Sequence, residues 1–396
     1  MTSFIKKRAK ELEKETIETR GFLHEYPEIS SEEFETSKYL KQKVKEMGLQ
    51  VEEVYGSTGF TALLDTGSPG KTLGIRTDID ALPIEENPNN LVGKRKYLSK
   101  NTGAMHACGH DGHMAMVLTV IQIINEMKDF LSGKIYFIFE EGEEIGAGID
   151  AMLTHLEDKN LDAIYGNHLA AFMDSGTICV DEGPRMAGAI FVDFTVHGKS
   201  GHGSRPDLSV NPVFAAAQIL NGLTSAWANQ MDVTKTVTLG LTQIHGGTAN
   251  NVIPDKVYIG GSLRFFDVEE GKKALEVVKR IADATAQAHE CTVEFHPSFE
   301  MKALPVVNDA SLATQAQQGI EEILPNALKH DVTWFASEPF NEYSKLAPTL
   351  FAFIGMRNEI YGSGAEHHNN YFDVDDDALI YGVIATSKFA IDFLTK

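Results

Sequence analysis

The chain has 396 residues, of which 43% are hydrophobic and 23% charged, a composition that fits a folded globular protein and excludes a disordered or fibrous one. Its formal charge of −21, with no Lys/Arg cluster large enough to offset it, disfavours nucleic acid and anionic membranes as partners. The length exceeds what one hydrophobic core usually supports, so two domains are expected.

In chain order, residues 3 to 19 and 31 to 47 read as helices, the second opened by a capping-box pattern from Ser30 to Glu33 and closed near Gly48. The opening run MTSFIKKRAKELEKE lacks the apolar stretch of a secretory signal. Short apolar runs at 60 to 64 and 72 to 76 predict strands, and Met116, Val117, Val120, Ile124 and Met127 follow at helical spacing. The run from Ile135 to Phe139 is apolar on both faces, as in the middle of a largely parallel sheet, and a similar run ends at His168. From about residue 187 the pattern alternates: Ile190, Val192, Phe194 and Val196 predict a half-covered strand. A helix opened by Asn211-Pro212 follows, then strands through Val237–Leu241 and Val257–Phe265, a helix over about 270 to 289, and a strand through Cys291, Val293 and Phe295. This β-α-β-β-α-β order is a split ferredoxin-like unit. It is placed at 187–298 and interrupts a first domain made of 1–186 and 299–396. No segment is apolar for long enough to span a bilayer. Cys108, Cys179 and Cys291 are too few for a disulfide framework and fit a reducing cytoplasm.

Two clusters carry chemistry. MHACGHDGH, from Met105, packs three His, one Cys and one Asp into a turn before a helix. Cys108 and His110 are two apart, a spacing that diverges on a helix, so both are expected before the helix starts. Thiolate and imidazole together suit a borderline-soft cation such as Zn²⁺. FEEGEEIGAG, from Phe139, puts four carboxylates at the end of the buried strand, where open α/β sheets bind ligands. The same positional argument raises Asp78, Asp80 and His168, each at the end of an expected strand. His202, between glycines in GKSGHGSRP, suggests close approach to a ligand. His24, His106 and His113 are weaker candidates that would orient ligands.

With these pieces in hand, the sequence resembles the M20 metallopeptidase family, in the amidohydrolase branch that includes N-acyl-amino-acid amidohydrolases, aminobenzoyl-glutamate hydrolases and plant auxin-conjugate hydrolases. The resemblance rests on RGFLHEYPE, RTDIDALP, MHACGHDGH, the Glu-Glu pair, GNHL, GKSGHGSRP, GGTANNVIP and the stretch from His367 to Asp373. It implies an α/β phosphorylase/hydrolase-like catalytic domain with a mixed sheet, plus an inserted ferredoxin-like lid that also serves dimerisation. It further implies that Cys108, His110, Glu144, His168 and His368 ligate two divalent ions, zinc first, with manganese, nickel or cobalt as alternatives, and that Cys108 bridges them. Glu143 matches the general base and Asp80 the acid that orients a metal-bound His. His202, Asn251 and Arg264 match lid positions that meet the substrate's carbonyl oxygen or carboxylate.

The activity implied is hydrolysis of an amide bond in N-acyl amino acids or small peptides by a metal-bridged water, with aminopeptidase or dipeptidase action as the alternative. The implied assembly is a homodimer through the lid, or a tetramer. Four positions depart from the branch pattern. Glu141-Gly142 stand in place of Pro-Ala, adding negative charge beside the site; Pro339 replaces an Asp, and Asn370 replaces a Pro. A cysteine hydrolase with Cys108 as nucleophile and a non-catalytic metal-binding relative are the rival readings. Serine-hydrolase and P-loop signatures are absent from the sequence.

Overall fold

The apolar run beginning at Ile135 becomes the strand Lys134–Glu140, buried at every position after Lys134. In the computed structural model, which describes residues 1–395, it sits inside a seven-stranded sheet. The strand order is Gln50–Glu53, Phe60–Asp65, Lys134–Glu140, Thr72–Asp78, Ala163–Asp174, Thr349–Arg357, Ile178–Cys179. The central strands, from Lys134–Glu140 to Thr349–Arg357, run parallel, and the outer pairs are antiparallel. The fold is therefore α/β with a mixed sheet.

Helices Thr2–Glu25, His110–Glu126 and Leu379–Leu394 pack against one another. They share one apolar core with the sheet. His110–Glu126 is buried around nearly its whole circumference, which is why it lacks a polar face. These elements belong to a first unit made of Met1–Gly183, Val307–Val332 and the chain from Pro339 onward.

The second unit comprises Pro184–Val306 and Thr333–Glu338. Its sheet has the order Val237–His245, Lys256–Phe265, Gly188–His197, Thr292–Phe295, all antiparallel, with helices Pro212–Gln230 and Val268–Ala288 sharing its core. Both helices start on a side-chain cap: Asn211 accepts from Val213 N at 3.0 Å and Asp267 from Glu270 N at 2.9 Å. The unit extends beyond the expected 187–298 on both sides. It also takes in a return segment in which Trp334 bridges Met186 and donates its N–H to Arg185 O at 2.8 Å.

One local expectation fails. Helix Phe34–Glu46 has no side-chain capping bond from Ser30 or Glu33; the Glu28 carboxylate takes that place, accepting from Glu35 N at 3.2 Å and Thr36 N at 2.7 Å. Ser30 instead donates to Asp80 at 2.6 Å, and Glu33 accepts from Thr58 Oγ1 at 2.8 Å and Gly142 N at 2.9 Å. The polar atoms that would have capped the helix are taken by partners distant in sequence.

Candidate active site

The MHACGHDGH run turns at Gly109, whose φ of +92° is readily open to glycine. Cys108 thus ends the loop while His110 opens the helix. The expectation that both precede the helix is corrected for His110: a backbone reversal, not an extended chain, brings them together. His110 Nδ1 lies 2.9 Å from Asp80 O and 3.2 Å from Asp80 Oδ1, so the ring proton sits there and the Nε2 side points inward. Nε2 lies 3.7 Å from Glu143, 3.8 Å from Glu144 and 3.8 Å from Asp78, with no hydrogen-bond partner among the described residues. Burial favours the neutral ring, but Asp78 and Asp80 override it and push the His110 pKa up to about 10. The pocket attracts positive charge.

Glu143 and Glu144 lie on a short turn, Glu143–Ile145, directly after Lys134–Glu140. Glycines with positive φ stand on either side, at Gly142 (+58°) and Gly146 (+63°). His168 is inside the strand Ala163–Asp174 rather than at its end. Pairing with Thr72–Asp78 stops at Arg76 and Gly166, so His168 lies just past the last pair with that strand, while on its other side it still pairs in parallel with Phe353. Its Nδ1 meets Leu169 O at 2.8 Å, leaving Nε2 3.5 Å from Cys108 Sγ.

His368 has φ of +62°, a conformation that non-glycine residues rarely hold without support. Its N–H donates to Ala107 O at 2.9 Å, locking it beside the cysteine loop. Its Nε2 is 3.2 Å from Glu144 Oε2. His367 is arranged differently. Ala171 N donates to its Nε2 at 3.2 Å, so the ring proton is on Nδ1, 3.7 Å from Cys108 Sγ. Burial holds its pKa down to about 3, and the neutral ring faces the sulfur as a donor.

Donor atoms in the groups Cys108–His110–His168, Cys108–Glu144–His368 and His110–Glu143–Glu144 lie within 4.8 Å of one another. Two donors on one tetrahedral zinc-like ion would sit about 3.3–3.6 Å apart, close to the Cys108–His168 and Glu144–His368 separations of 3.5 and 3.2 Å. Buried His110 Nε2 and Glu144 Oε1 have no hydrogen-bond partner among the described residues, which fits groups reserved for a cation. All five expected ligands are thus brought together, and Cys108 is common to two groups. Asp78–His110–His113 is also close enough but does not fit a metal. His113 Nδ1 meets Asp78 at 2.8 Å and its Nε2 accepts from Leu169 N at 2.9 Å, so both ring nitrogens are engaged.

Behind the ligands, Arg76 bonds Asp78 at 2.8 Å and Glu140 at 2.9 Å, and Tyr343 donates to Glu140 at 2.6 Å. Arg76 and Asp78, two apart on one strand, share a face, a signal that could have joined them in the sequence. His24 lies in a separate ion network with Asp111 and Glu86. His106 is buried, and burial depresses its pKa to about 4. Glu141 joins none of the ligand groups: its carboxylate accepts from Ser57 Oγ and from Thr58 N. Asn370 meets Arg95 Nη2 and Asn87 N through its carbonyl oxygen, at 2.8 and 3.1 Å, contacts that the usual proline would also provide.

In the second unit, His202 and Asn251 are brought together by the two-stranded ribbon Gly201–His202 and Val252–Ile253, where Gly203 N donates to Asn251 O at 2.8 Å. His202 Nδ1 accepts from Ser204 Oγ at 2.8 Å and Ser204 N at 3.1 Å, which puts the ring proton on Nε2. Arg264, on Lys256–Phe265, donates to Ser337 Oγ at 3.0 Å.

The family model for peptidase family M20/M25/M40 matches residues 74–391. The chain belongs to that family. It is 33% identical over 396 residues to thermostable carboxypeptidase 1 of Saccharolobus solfataricus, covering 99% of this chain and 98% of that protein. It is 32% identical over 376 residues to N-acetylcysteine deacetylase of Bacillus subtilis, covering 94% of each. Among solved structures, a dinuclear metal-binding peptidase of the M20 family from Bacillus subtilis superposes with a TM-score of 0.84 at 30% identity, covering 97% of this chain and 99% of that one. This M20 member is a metal-dependent hydrolase of carbon–nitrogen bonds, and its ligand groups accommodate a dinuclear centre.

Proposed function

We propose that this M20 hydrolase cleaves the amide bond next to a free α-carboxylate, in N-acyl amino acids or short peptides. The observation that carries the site assignment is the convergence of Glu143 and Glu144 on His110 Nε2, at 3.7 and 3.8 Å, two adjacent carboxylates of which one can ligate while the other handles protons. The relatives support the substrate class, since a carboxypeptidase and an N-acetylcysteine deacetylase both take an amide beside a carboxylate.

Cys108, His110, Glu144, His168 and His368 would hold two divalent ions, zinc in the first instance, and the ions would acidify water and polarise the scissile carbonyl. Glu143 takes the proton of the attacking water and returns it to the leaving amine nitrogen. Asp80 keeps the His110 proton on Nδ1, and His367 donates to the Cys108 sulfur. His202, whose ring proton is on Nε2, donates to the developing oxyanion, with Asn251 beside it. Arg264 takes the carboxylate with its guanidinium fork.

The proposed assembly is a homodimer through the second unit. Val237–His245 is an edge strand there, and helix Pro212–Gln230 has no charged residue and exposes Val213 and Phe214, features of a surface made to be covered. A cytoplasmic location is supported by Cys108, Cys179 and Cys291, none of which forms a disulfide. The test is a panel of N-acyl amino acids, their carboxamides, dipeptides and short peptides, run after chelation and after metal add-back. Hydrolysis should require metal and should drop sharply on the carboxamides. Turnover that resists chelation but is lost to a thiol reagent would favour Cys108 as a nucleophile instead.

A further inference from the structure

Ser30 and Glu33 do not cap a helix, and what they hold is the loop with the Glu-Glu pair. Glu33 is fully buried. Its carboxylate accepts from Ser31 N at 2.9 Å, Thr58 Oγ1 at 2.8 Å and Gly142 N at 2.9 Å. Ser30 donates to Asp80 Oδ2 at 2.6 Å, and the same oxygen accepts from Glu144 N at 3.1 Å. The backbone amides on either side of Glu143, those of Gly142 and Glu144, are therefore each taken by a buried carboxylate. Both carboxylates are tied to the segment Ser30–Glu33. Between these two residues Ser31 holds φ of +66°, a conformation kept only where the surroundings over-determine it. The loop adds its own closure, with Ala147 N to Gly142 O at 3.0 Å and Gly148 N to Glu141 O at 3.2 Å.

From this geometry we infer that Glu33 is a positioning residue for Glu143: its carboxylate oxygens fix the Gly142 amide, and so set where the Glu143 side chain enters the site. The inference rests on the reading of Glu143 as the proton-transfer group. Acceptor oxygens at the right reach are what the Gly142 and Thr58 donors need, so the requirement is for length and acceptor atoms rather than for negative charge. Glu33→Gln keeps one oxygen for Gly142 N, and the Thr58 hydroxyl can turn to accept from the new amide. Glu33→Asp keeps the charge but is one methylene too short to reach.

The experiment compares the metal-loaded wild type with Glu33→Gln, Glu33→Asp, Glu33→Ala and Glu143→Ala. It measures kcat and KM, together with amide hydrogen exchange of the metal-free proteins. Glu33→Asp and Glu33→Ala should lose about 10- to 100-fold in kcat with KM within about threefold, as expected for a misplaced catalytic group. Exchange should speed up in peptides covering residues 139–148 but not in the helix His110–Glu126. Glu33→Gln should stay within about threefold of wild type in kcat, with the loop still protected. The reverse order, Glu33→Asp like wild type and Glu33→Gln impaired, would show a charge requirement and overturn the inference. Uniformly faster exchange across the protein would also overturn it, by showing general destabilisation. Should Glu143→Ala retain wild-type kcat, the proton-transfer reading itself falls, a result distinct from either outcome for Glu33.

Discussion

Two buried polar regions of the first unit meet at neighbouring residues of one helix, His110 and Asp111, and they are built on opposite terms. Around Asp111 the charges balance. Arg20, 1% exposed, binds Asp111, Asp373 and Asp376 at 3.0, 3.2 and 2.7 Å. His24 spans Asp111 and Glu86 at 2.8 and 2.7 Å, while Arg95 and Lys96 face Glu86 and Asp376. Around His110 carboxylates predominate: Asp78, Asp80, Glu143 and Glu144 crowd its imidazole, Arg76 serves Asp78 from behind, and His110 Nε2 and Glu144 Oε1 have no hydrogen-bond partner among the described residues. Buried charges normally come paired. Residue types alone would not separate a structural ion network from a metal centre; the balance of charge does, since buried atoms without a hydrogen-bond partner among the described residues occur on both sides, Asp111 Oδ1 among them.

That contrast predicts opposite costs on the two sides. The largest effect should come from Glu143→Ala, which removes the proposed proton-transfer group and should lower kcat by roughly 10²- to 10⁴-fold. Metal content, measured by elemental analysis, should stay as in wild type. Arg20→Ala should do the reverse, leaving three carboxylates without their shared partner. Breaking a buried pair typically costs about 3–5 kcal/mol, to be read from urea unfolding of the metal-loaded protein, and the folded fraction should keep its metal. If Arg20→Ala spared stability but emptied the site, the division into two regions would be wrong.

Part of the candidate ligand set was legible in the sequence because its members cluster locally, whereas His368 entered only through the family resemblance. Cys108 and His110 share one turn, and Glu143 and Glu144 directly follow a run apolar on both faces. The second unit's alternating strands and its Asn211-Pro212 helix start were legible for the same local reason. What was hidden depends on partners far along the chain. Ser30 and Glu33 matched a capping box, but their side chains reach Asp80 and Gly142, and no local pattern reveals a competition won by a tertiary contact. The settings of His367 and His368 differ in that Ala171 N takes one ring nitrogen of His367, a fact set by strand placement. Glu141, expected to add charge beside the site, is held by Ser57 and Thr58, contacts that no local pattern reveals. The return segment Thr333–Glu338 is too short to carry a periodicity of its own.

A smaller effect sharpens the comparison from the unbalanced side. In metal-free protein, Glu144→Gln removes one of several crowded carboxylates, so it should leave stability unchanged or raise it by about 1–4 kcal/mol. The same change should weaken metal binding by more than the roughly 10- to 100-fold typical of an outer partner. Destabilisation of the metal-free form would mean that the contacts of Glu144 with His110 and His368 outweigh the crowding.

The smallest effect concerns His24, whose two ring nitrogens face Asp111 and Glu86. Burial opposes its protonation, but the hydrogen bonds to these carboxylates prevail and raise its pKa from 6.5 to about 9. A raised folded-state pKa means that the proton binds the folded chain more tightly than the unfolded one. Its contribution is therefore complete below pH 6.5 and is lost as the pH rises through about 9. Stability of the metal-loaded protein should fall across that window, by at most about 1.4 kcal/mol per pH unit for a single proton. Glu86→Gln should shift the fall to lower pH, and His24→Gln should lower stability at pH 6 while flattening the slope. Because the histidine belongs to the balanced network, the slope should persist in Glu144→Gln. A slope that vanished there would tie it to the ligand cluster and erase the boundary between His110 and Asp111.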